Sequence, residues 1–502
     1  MDMSLIQQAI QALAADGTGA ALSCLKNADS SELGADQVHE WLTLFHSFYQ
    51  LELAGELAGM LATHPRANTP QLLSAARIFF ENGNYRIAKN LTHRANELAP
   101  DDPDILAMLA SCIERDGSRA DAIPYLEKSL ELAPGHVRSV RLLARIERRV
   151  GRVSDARARL ERQIQNHRTD QDWRIRYELA AVLDGLALFR EAMHELELAK
   201  NQLLQRVPVR EAHATTRKRW EVALMVDAGR FSTWSKLALP PETRRRICVM
   251  AGFPRSGTTL LESVLTSHAL CIGTDESGIL HQLYERPLLL DAASAMSAVA
   301  ELDSFDADDL LAGRKEYLRC TEAYLGEPVG ERWLIEKEPL LTSYLALVLR
   351  LFPEAKVLMP LRDPRDVVIS YYFTMVPLAA SCAAAVDLGE TCRHYAEVMR
   401  HWLHWKKILP CTQWLESRYE DLIDEPEIQT RKVADFLSLT RSPEMLAHHE
   451  NRQKRTVSTP TYDDVSKPLY RGSIGRWKNY RDQLAPHLHH LQPYIEAFGY
   501  DG

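Results

Sequence analysis

The amino-acid sequence predicts an α/β protein in two parts. An all-helical superhelix of repeated helix pairs spans residues 1–230, a connector follows at 231–246, and an α/β domain with a mostly parallel sheet spans 247–502. Three observations predict this. Small residues recur with a fixed period through the first part. Short apolar segments alternate with helical ones through the second. A glycine-containing loop joins the first apolar segment, Ile247-Cys248-Val249-Met250-Ala251, to an amphipathic helix.

The repeats come first in the chain. Ala76, Ala110 and Ala144 recur every 34 residues, as do Ala88, Ala122 and Ala156. Pro100 and Pro134 keep the step, and so do Gly83, Gly117 and Gly151. Each unit reads as helix, short turn, helix, with a small residue where two helices approach closely. A further unit continues after a two-residue slip, with Ala180 and Ala192 lying 36 residues beyond Ala144 and Ala156. The extra residues fit the polar turn Asn166-His167-Arg168-Thr169-Asp170. A degenerate unit with Trp41, Ala54 and Pro65 precedes the series, as terminal repeats do. The pattern resembles the tetratricopeptide repeat, which has this period and these small-residue positions.

Helical patterning persists to about Ala228. The stretch Phe231–Arg246, with Pro240-Pro241 and Arg244-Arg245-Arg246, reads as the connector, and the arginine run as a solvated entry to the first strand. Expected strands are Ile247–Gly252, Trp333–Glu336, Lys356–Leu361 and Gln413–Tyr419, with helices between them. Such alternation argues for a parallel sheet covered on both faces. Ligands of such sheets sit beyond the carboxyl ends of the strands, so the residues that follow each strand carry the functional reading.

Composition narrows the classes. A chain of 502 residues is expected to form about two to four domains. Its 60 basic and 68 acidic residues leave a formal charge of −8, which argues against general nucleic-acid affinity and makes any anion site a local arrangement. No stretch of about 18 uninterrupted apolar residues predicts a membrane span, and the N-terminus lacks the basic and apolar regions of a secretory signal. The eight cysteines include no Cys-x-x-Cys pair and several read as small core residues, so a cytoplasmic location is expected.

The first strand is followed by Gly252-Phe253-Pro254-Arg255-Ser256-Gly257-Thr258-Thr259. A strand, a tight loop and a helix start aim unpaired N–H groups and a helix dipole at one point, the geometry of an anion cradle. The spacing is P-loop-like, but Thr258 stands where a nucleotide-triphosphate loop has its phosphate-binding lysine. The third expected strand leads into Leu361-Arg362-Asp363-Pro364-Arg365-Asp366, with Ser370 about two turns into the next helix. Asp363 is expected to cap that helix and Pro364 to take its first position. A guanidinium and a hydroxyl near one spot suit a phosphate monoester. Taken singly, Arg362 reads equally as an arginine paired to a helix-start carboxylate and Ser370 as a serine on a helix side.

In combination, the loop and the later Leu-Arg-Asp-Pro-Arg-x-x-x-x-Ser segment resemble the sulfotransferase family, whose members use 3′-phosphoadenosine 5′-phosphosulfate (PAPS). The resemblance covers about Ile247 to Tyr480. It implies that Arg255, Ser256, Gly257, Thr258 and Thr259 cradle the 5′-phosphosulfate, that Arg362 and Ser370 hold the 3′-phosphate, and that Gly472–Tyr480 closes over the donor. Arg255, where small-molecule members carry lysine, makes the chain more similar to the tyrosylprotein sulfotransferases and to bacterial sulfotransferases fused to tetratricopeptide repeats. In the tyrosylprotein group a catalytic Glu follows the loop Arg by 21 residues, which gives Glu276 here, in Gly273-Thr274-Asp275-Glu276, with His268 matching on the way. Lys337, in Glu336-Lys337-Glu338-Pro339, matches that group's catalytic lysine, and Tyr419 its donor-contacting tyrosine. Arg476 replaces a lysine before Trp477. Thr461 falls where that group has a donor-binding serine, with Ser458 as the alternative.

The resemblance thus implies an enzyme that moves a sulfuryl group from PAPS to an acceptor hydroxyl, without a metal. Glu276 would be the base, and Arg255 and Lys337 would stabilise developing charge. A tyrosine of a peptide or protein held by the repeats is the leading acceptor. A carbohydrate or small-molecule hydroxyl is the alternative, and an interaction protein with an inactive catalytic domain is a reading of another class. Self-association of the repeats is a further use of such arrays. Glu276 also reads as a first-turn acid of a helix starting near Ser277, Lys337 as a strand-end surface lysine, and His401 and His404 as packing residues of one helix.

Overall fold

The alanines that mark the repeat are the contact points of its helices. Ala76, Ala110, Ala144 and Ala180, and with them Ala88, Ala122, Ala156 and Ala192, are all 0% exposed. They lie on successive helix pairs: Thr69–Glu81 with Tyr85–Leu98, Pro103–Arg115 with Arg119–Leu132, Val137–Arg149 with Val153–Asn166, and Asp172–Gly185 followed by Phe189–Leu204. Caps set the starts. Asn68 and Gln71 form a reciprocal capping box, and Asn84 accepts the Ile87 N–H. Two earlier pairs, including Ala35–Ser47 with Leu51–Thr63, share a core with the first of these.

This computed structural model describes residues 5–16, 18–26, 33–47, 50–115, 119–204, 209–237, 239–240, 243–375, 380–447 and 471–501. The chain divides into two compact units, Met1–Ala199 and Lys200–Gly502. The change of sequence pattern near residue 230 and the division of packing therefore fall at different places. Helical periodicity reports an amphipathic face but not the core that covers it. The helices Val209–Trp220 and Ala228–Ser235 belong to the second unit. Trp220 Nε1 donates to Glu285 Oε1 at 2.8 Å, Trp234 Nε1 to Asp303 Oδ1 at 2.9 Å, and His404 Nε2 lies 2.8 Å from Val226 O. Arg244, Arg245 and Arg246 are exposed ahead of the first strand.

The second unit is built on five strands: β1 (Ile247–Met250), β2 (Cys271–Gly273), β3 (Trp333–Lys337), β4 (Lys356–Leu361) and β5 (Trp414–Arg418). Their order is β2-β3-β1-β4-β5, and every pairing is parallel. Four strands answer the sequence expectation to within two residues at each end. The three-residue β2 was not expected. It is too short for alternation to register, and it exists because Ile272 and Gly273 pair with Leu334 and Ile335. β1 is central, with Met250 opposite both Lys337 and Leu358. The helix Thr258–Thr266 covers one face through Leu260, Leu261, Val264 and Leu265.

On the strand before Lys337, Glu336 is 1% exposed and accepts a hydrogen bond from the Tyr317 hydroxyl. Burial pushes its carboxyl up to about 8 from the usual 4.5. A group raised on folding gives stability that is complete below about 4.5 and gone once the pH has risen through about 8. Glu336→Gln should remove this slope, leaving the variant more stable than the parent at pH 9 by on the order of 1–4 kcal/mol. Urea unfolding at pH 5 and pH 9 checks it, and equal slopes in parent and variant would refute it.

Candidate functional site

All five strands end on one edge of the sheet, and the residues singled out above follow those ends. After β1, Gly252 is held at both main-chain groups by Thr342: its N–H donates to Oγ1 at 2.7 Å, and the hydroxyl donates to its carbonyl at 2.8 Å. Phe253, 0% exposed, anchors the loop with its ring edge-on to Tyr371, His394 and Tyr395 at 5.2–5.3 Å. The chain then turns back through Arg255, whose φ of 75° is in the left-handed region. Such a conformation in a non-glycine residue is typical of loops shaped for a ligand. Gly257 (φ 94°) caps the helix that starts at Thr258. A Cβ there would sit 2.8 Å from Tyr419 Cδ2, so only glycine fits both the backbone and the packing. The N–H groups of the helix's first turn lack intrahelical partners and open on the loop. Ser256 Oγ is committed to the loop itself, donating to Phe253 O at 2.7 Å.

Arg255, Ser370, Arg362 and Tyr419 come together from three strand ends and one helix. Arg255 Nε donates to Ser370 Oγ at 3.1 Å. Arg362 Nη1 donates to Arg255 O at 3.2 Å, and Nη2 donates to Ser473 O. The Arg362 guanidinium lies 5.1 Å from the Tyr419 ring centroid. Its Nε is buried without a hydrogen-bond partner among the described residues. Asp366 closes the group from below. It accepts the N–H groups of Gly475 at 2.7 Å and Trp477 at 2.8 Å, and so fastens the segment 471–480 to the helix Pro364–Tyr372. Burial raises the Asp366 carboxyl, and Arg362 at 4.0 Å opposes the rise. As expected, Asp363 caps that helix, accepting the Arg365 N–H at 2.9 Å.

The second cluster is centred on Lys337 at the end of β3. Its side chain is 0% exposed, and Nζ lies 2.7 Å from Asp275 Oδ1, 3.1 Å from Glu262 Oε2, 3.3 Å from Thr259 Oγ1 and 3.5 Å from Glu276 Oε1. Burial alone would lower the ammonium's pKa, but Asp275, Glu262 and Glu276 outweigh it and hold Lys337 charged. Burial pushes Glu262 up to about 7, with Lys337 pulling the other way. Burial raises Glu276 as well, and Lys337 again opposes the rise. It differs in access, since its side chain is 36% exposed. Asp275 (φ 53°) makes the turn that brings Glu276 in, and its N–H donates to Glu262 Oε1 at 2.9 Å. The helix after this turn starts at Ile279, so Glu276 precedes it rather than lying in its first turn.

Comparisons with known proteins identify this unit. Residues 248–443 match the model of the sulfotransferase family, and residues 115–175 match the tetratricopeptide repeat. The matched part of the second unit is a sulfotransferase domain. A protein of Aquifex aeolicus is 29% identical over 260 residues, 50% of this chain and 32% of its own length. The chain thus spans about a third of that relative. Protein-tyrosine sulfotransferase 2 of Gallus gallus is 25% identical over 317 residues, 59% of this chain and 79% of the relative. Among solved structures, the sulfotransferase domain of the Synechococcus PCC 7002 olefin synthase has 20% identity and a TM-score of 0.38, covering 53% of this chain and 99% of that one.

Within the sulfotransferase domain, the remaining expected residues fall in different places. Arg476 lies over the Phe373 ring at 4.5 Å, in the segment that Asp366 fastens. Thr461 and Ser458 lie outside the described residues. His268 is away from the cluster, bridging Thr440 O at 3.0 Å and the Leu270 N–H at 3.1 Å. His401 is buried and pushed down to about 3, first by burial, which fits a packed ring. Glu262, Asp275 as a Lys337 partner, and Asp366 were not foreseen. The first reads as a polar position on an amphipathic helix, and the last as a first-turn acid favoured by the dipole. One signal for Glu262 was Gly273, where a Cβ would lie 2.6 Å from Glu262 Oε1.

Proposed function

We propose that the sulfotransferase domain moves a sulfuryl group from PAPS to the phenolic hydroxyl of a tyrosine in a peptide or protein. The observation that supports this most is the Lys337 ammonium, which touches Thr259 of the loop at 3.3 Å and the solvent-exposed Glu276 at 3.5 Å. An anion cradle and a carboxylate base then share one cation. The donor's chemistry fits the residues present: the first-turn N–H groups, the partnerless Arg362 Nε and Ser370 are all groups that accept an anionic ligand. Bound there, PAPS supplies an activated sulfuryl group.

The chain's own residues do the rest. Arg255, Ser256, Gly257, Thr258 and Thr259 would hold the phosphosulfate end, Arg362 and Ser370 the 3′-phosphate, and Tyr419, Arg476 and Thr461 the remainder. Glu276 takes the proton of the entering hydroxyl as its oxygen bonds to sulfur. Lys337 and Arg255 offset the charge that accumulates on the leaving oxygen as its bond to sulfur breaks. A phenol, with a pKa of about 10, gives up its proton more readily than an alcohol, so a raised carboxylate suffices as base. The relatives named protein-tyrosine sulfotransferases support the tyrosine acceptor.

Radiolabelled PAPS incubated with tyrosine peptides, glycans and small phenols tests the reading. Label is expected on peptide tyrosine, and label confined to glycans would replace that acceptor. Calorimetry with adenosine 3′,5′-bisphosphate tests the donor site. Arg362→Ala should weaken that binding by about 10–100-fold, the worth of a charge-assisted contact, and unchanged affinity would remove Arg362 from the site.

A further inference from the structure

The repeats place arginines in register on one side of the first unit. Arg138, Arg141 and Arg145 stand at i, i+3 and i+7 of the helix Val137–Arg149 and share a face. Arg174 follows Arg138 by 36 residues, the step that separates Ala144 from Ala180, so it holds the same place in the next unit. Arg77 and Arg145 share a second repeat position two periods apart. Arg77 is exposed and the other four are half-buried, within reach of solvent.

These charges sense one another. Burial lowers Arg141 to about 9, and Arg145, Arg174 and Arg138 act in the same direction against Glu178. Arg138 is lowered by burial and then by Arg77, against Asp104. The two acids that face the cluster have other partners: Glu178 pairs with Arg148 at 3.2 Å, and Asp104 lies 3.5 Å from His136. Among the described residues, Arg77, Arg138, Arg145 and Arg174 form no ion pair. Arg145 and Arg174 keep a buried Nε without a hydrogen-bond partner, and Arg174 stacks on Trp173 at 4.4 Å. A fold that gathers like charges and leaves donors unmet is less stable for it, unless an anion completes the group.

We propose that this arginine face binds an acidic peptide segment, a run of Asp and Glu side chains in extended conformation. Neighbouring helices lie about 10 Å apart, and an extended chain covers that distance in about three residues. Arg138 and Arg145 are separated by about 10 Å along their helix, so carboxylates a few residues apart meet successive guanidinium groups in either direction. The planar fork of arginine matches a carboxylate with two hydrogen bonds. A polynucleotide fits less well, because the chain as a whole is negative, at −8, and the cluster is compact rather than a long basic track.

Fluorescence anisotropy with the full chain tests this without PAPS or any transfer, so its outcome is separate from that of the proposed activity. The probe is a labelled peptide rich in Asp and Glu, and the control is the same peptide with Asn and Gln. The acidic peptide should bind at least about tenfold more tightly than the control, and its affinity should fall about tenfold or more as salt rises from 50 to 500 mM. Arg138→Gln/Arg145→Gln should weaken it about tenfold with a melting point no lower than the parent's. Should that variant melt early, the exposed Arg77→Gln and the salt series of the parent still decide. Equal binding of the neutral peptide, salt-independent binding, or tighter binding of a single-stranded oligonucleotide of equal charge would overturn the proposal.

Discussion

Lys337→Met should destabilise the second unit by about 3–5 kcal/mol and abolish transfer. The reason is the company Lys337 keeps. Its ammonium is 0% exposed and lies within 3.5 Å of three carboxylates, Asp275, Glu262 and Glu276. Methionine fills similar volume but leaves those acids facing one another without the cation they share. Breaking a buried pair from one side costs more than the pair contributes, because the remaining charge is stranded. The deficit should depend on pH in a definite sense. Glu262 already titrates at about 7 with Lys337 present. Without the ammonium it rises further, so at pH 5 Glu262 is protonated in the fold and the loss is small. Towards pH 8 the unfolded chain releases that proton and the folded one holds it, so the loss grows. The unfolding midpoint of the second unit should drop by on the order of 10 °C at pH 8. Glu262→Gln in the Lys337→Met background should recover part of this drop by removing one stranded charge. A variant that melts with the parent at pH 8 would show that the four groups are not coupled as their distances imply.

The parts of this molecule that were legible in the sequence are those in which one residue type answers one local demand. Alanine at a helix crossing is such a demand, and Ala76, Ala110, Ala144 and Ala180 report it at every repeat. The loop from Gly252 to Thr259 is another, since its turn, its left-handed Gly257 and its helix start are all written within eight residues. Other features depend on chain segments that meet only after folding. β2 exists through its pairing with β3, and Glu262 acquires its role because Gly273 leaves room for its carboxylate beside Lys337. Asp366 looks like an ordinary helix-start acid until the N–H groups of Gly475 and Trp477, over a hundred residues later, arrive on it. The stretch 200–230 reads as more helix, and contacts made only after folding, among them Trp220 with Glu285 and His404 with Val226, tie Val209–Trp220 and the residues after it to the second unit.

Glu276→Gln should reduce turnover by about 100- to 10,000-fold, the usual worth of a general base, while adenosine 3′,5′-bisphosphate binds within about threefold of the parent. The fold should tolerate the change, because Asp275 and Glu262 still accompany Lys337 at 2.7 and 3.1 Å. This sets Glu276 apart from its neighbours. Glu262 is buried and bridged to the Asp275 N–H, whereas Glu276 is 36% exposed and open to an acceptor. The pH profile separates a base from a residue that merely shapes the site. Burial raises the Glu276 carboxyl above its usual 4.5, with Lys337 limiting the rise. A base must be ionised, so the parent's rate should fall as the pH drops through that raised value, giving an acid limb to the right of an ordinary glutamate's. The Gln variant has no group to titrate there, and its residual rate should be level across the same range. Glu276→Asp, which keeps the carboxylate but draws it back by one methylene, should recover part of the rate and the limb with it. If Glu276→Gln instead turned over near the parent rate, or kept the parent's acid limb, the proton of the acceptor would have to leave by another route.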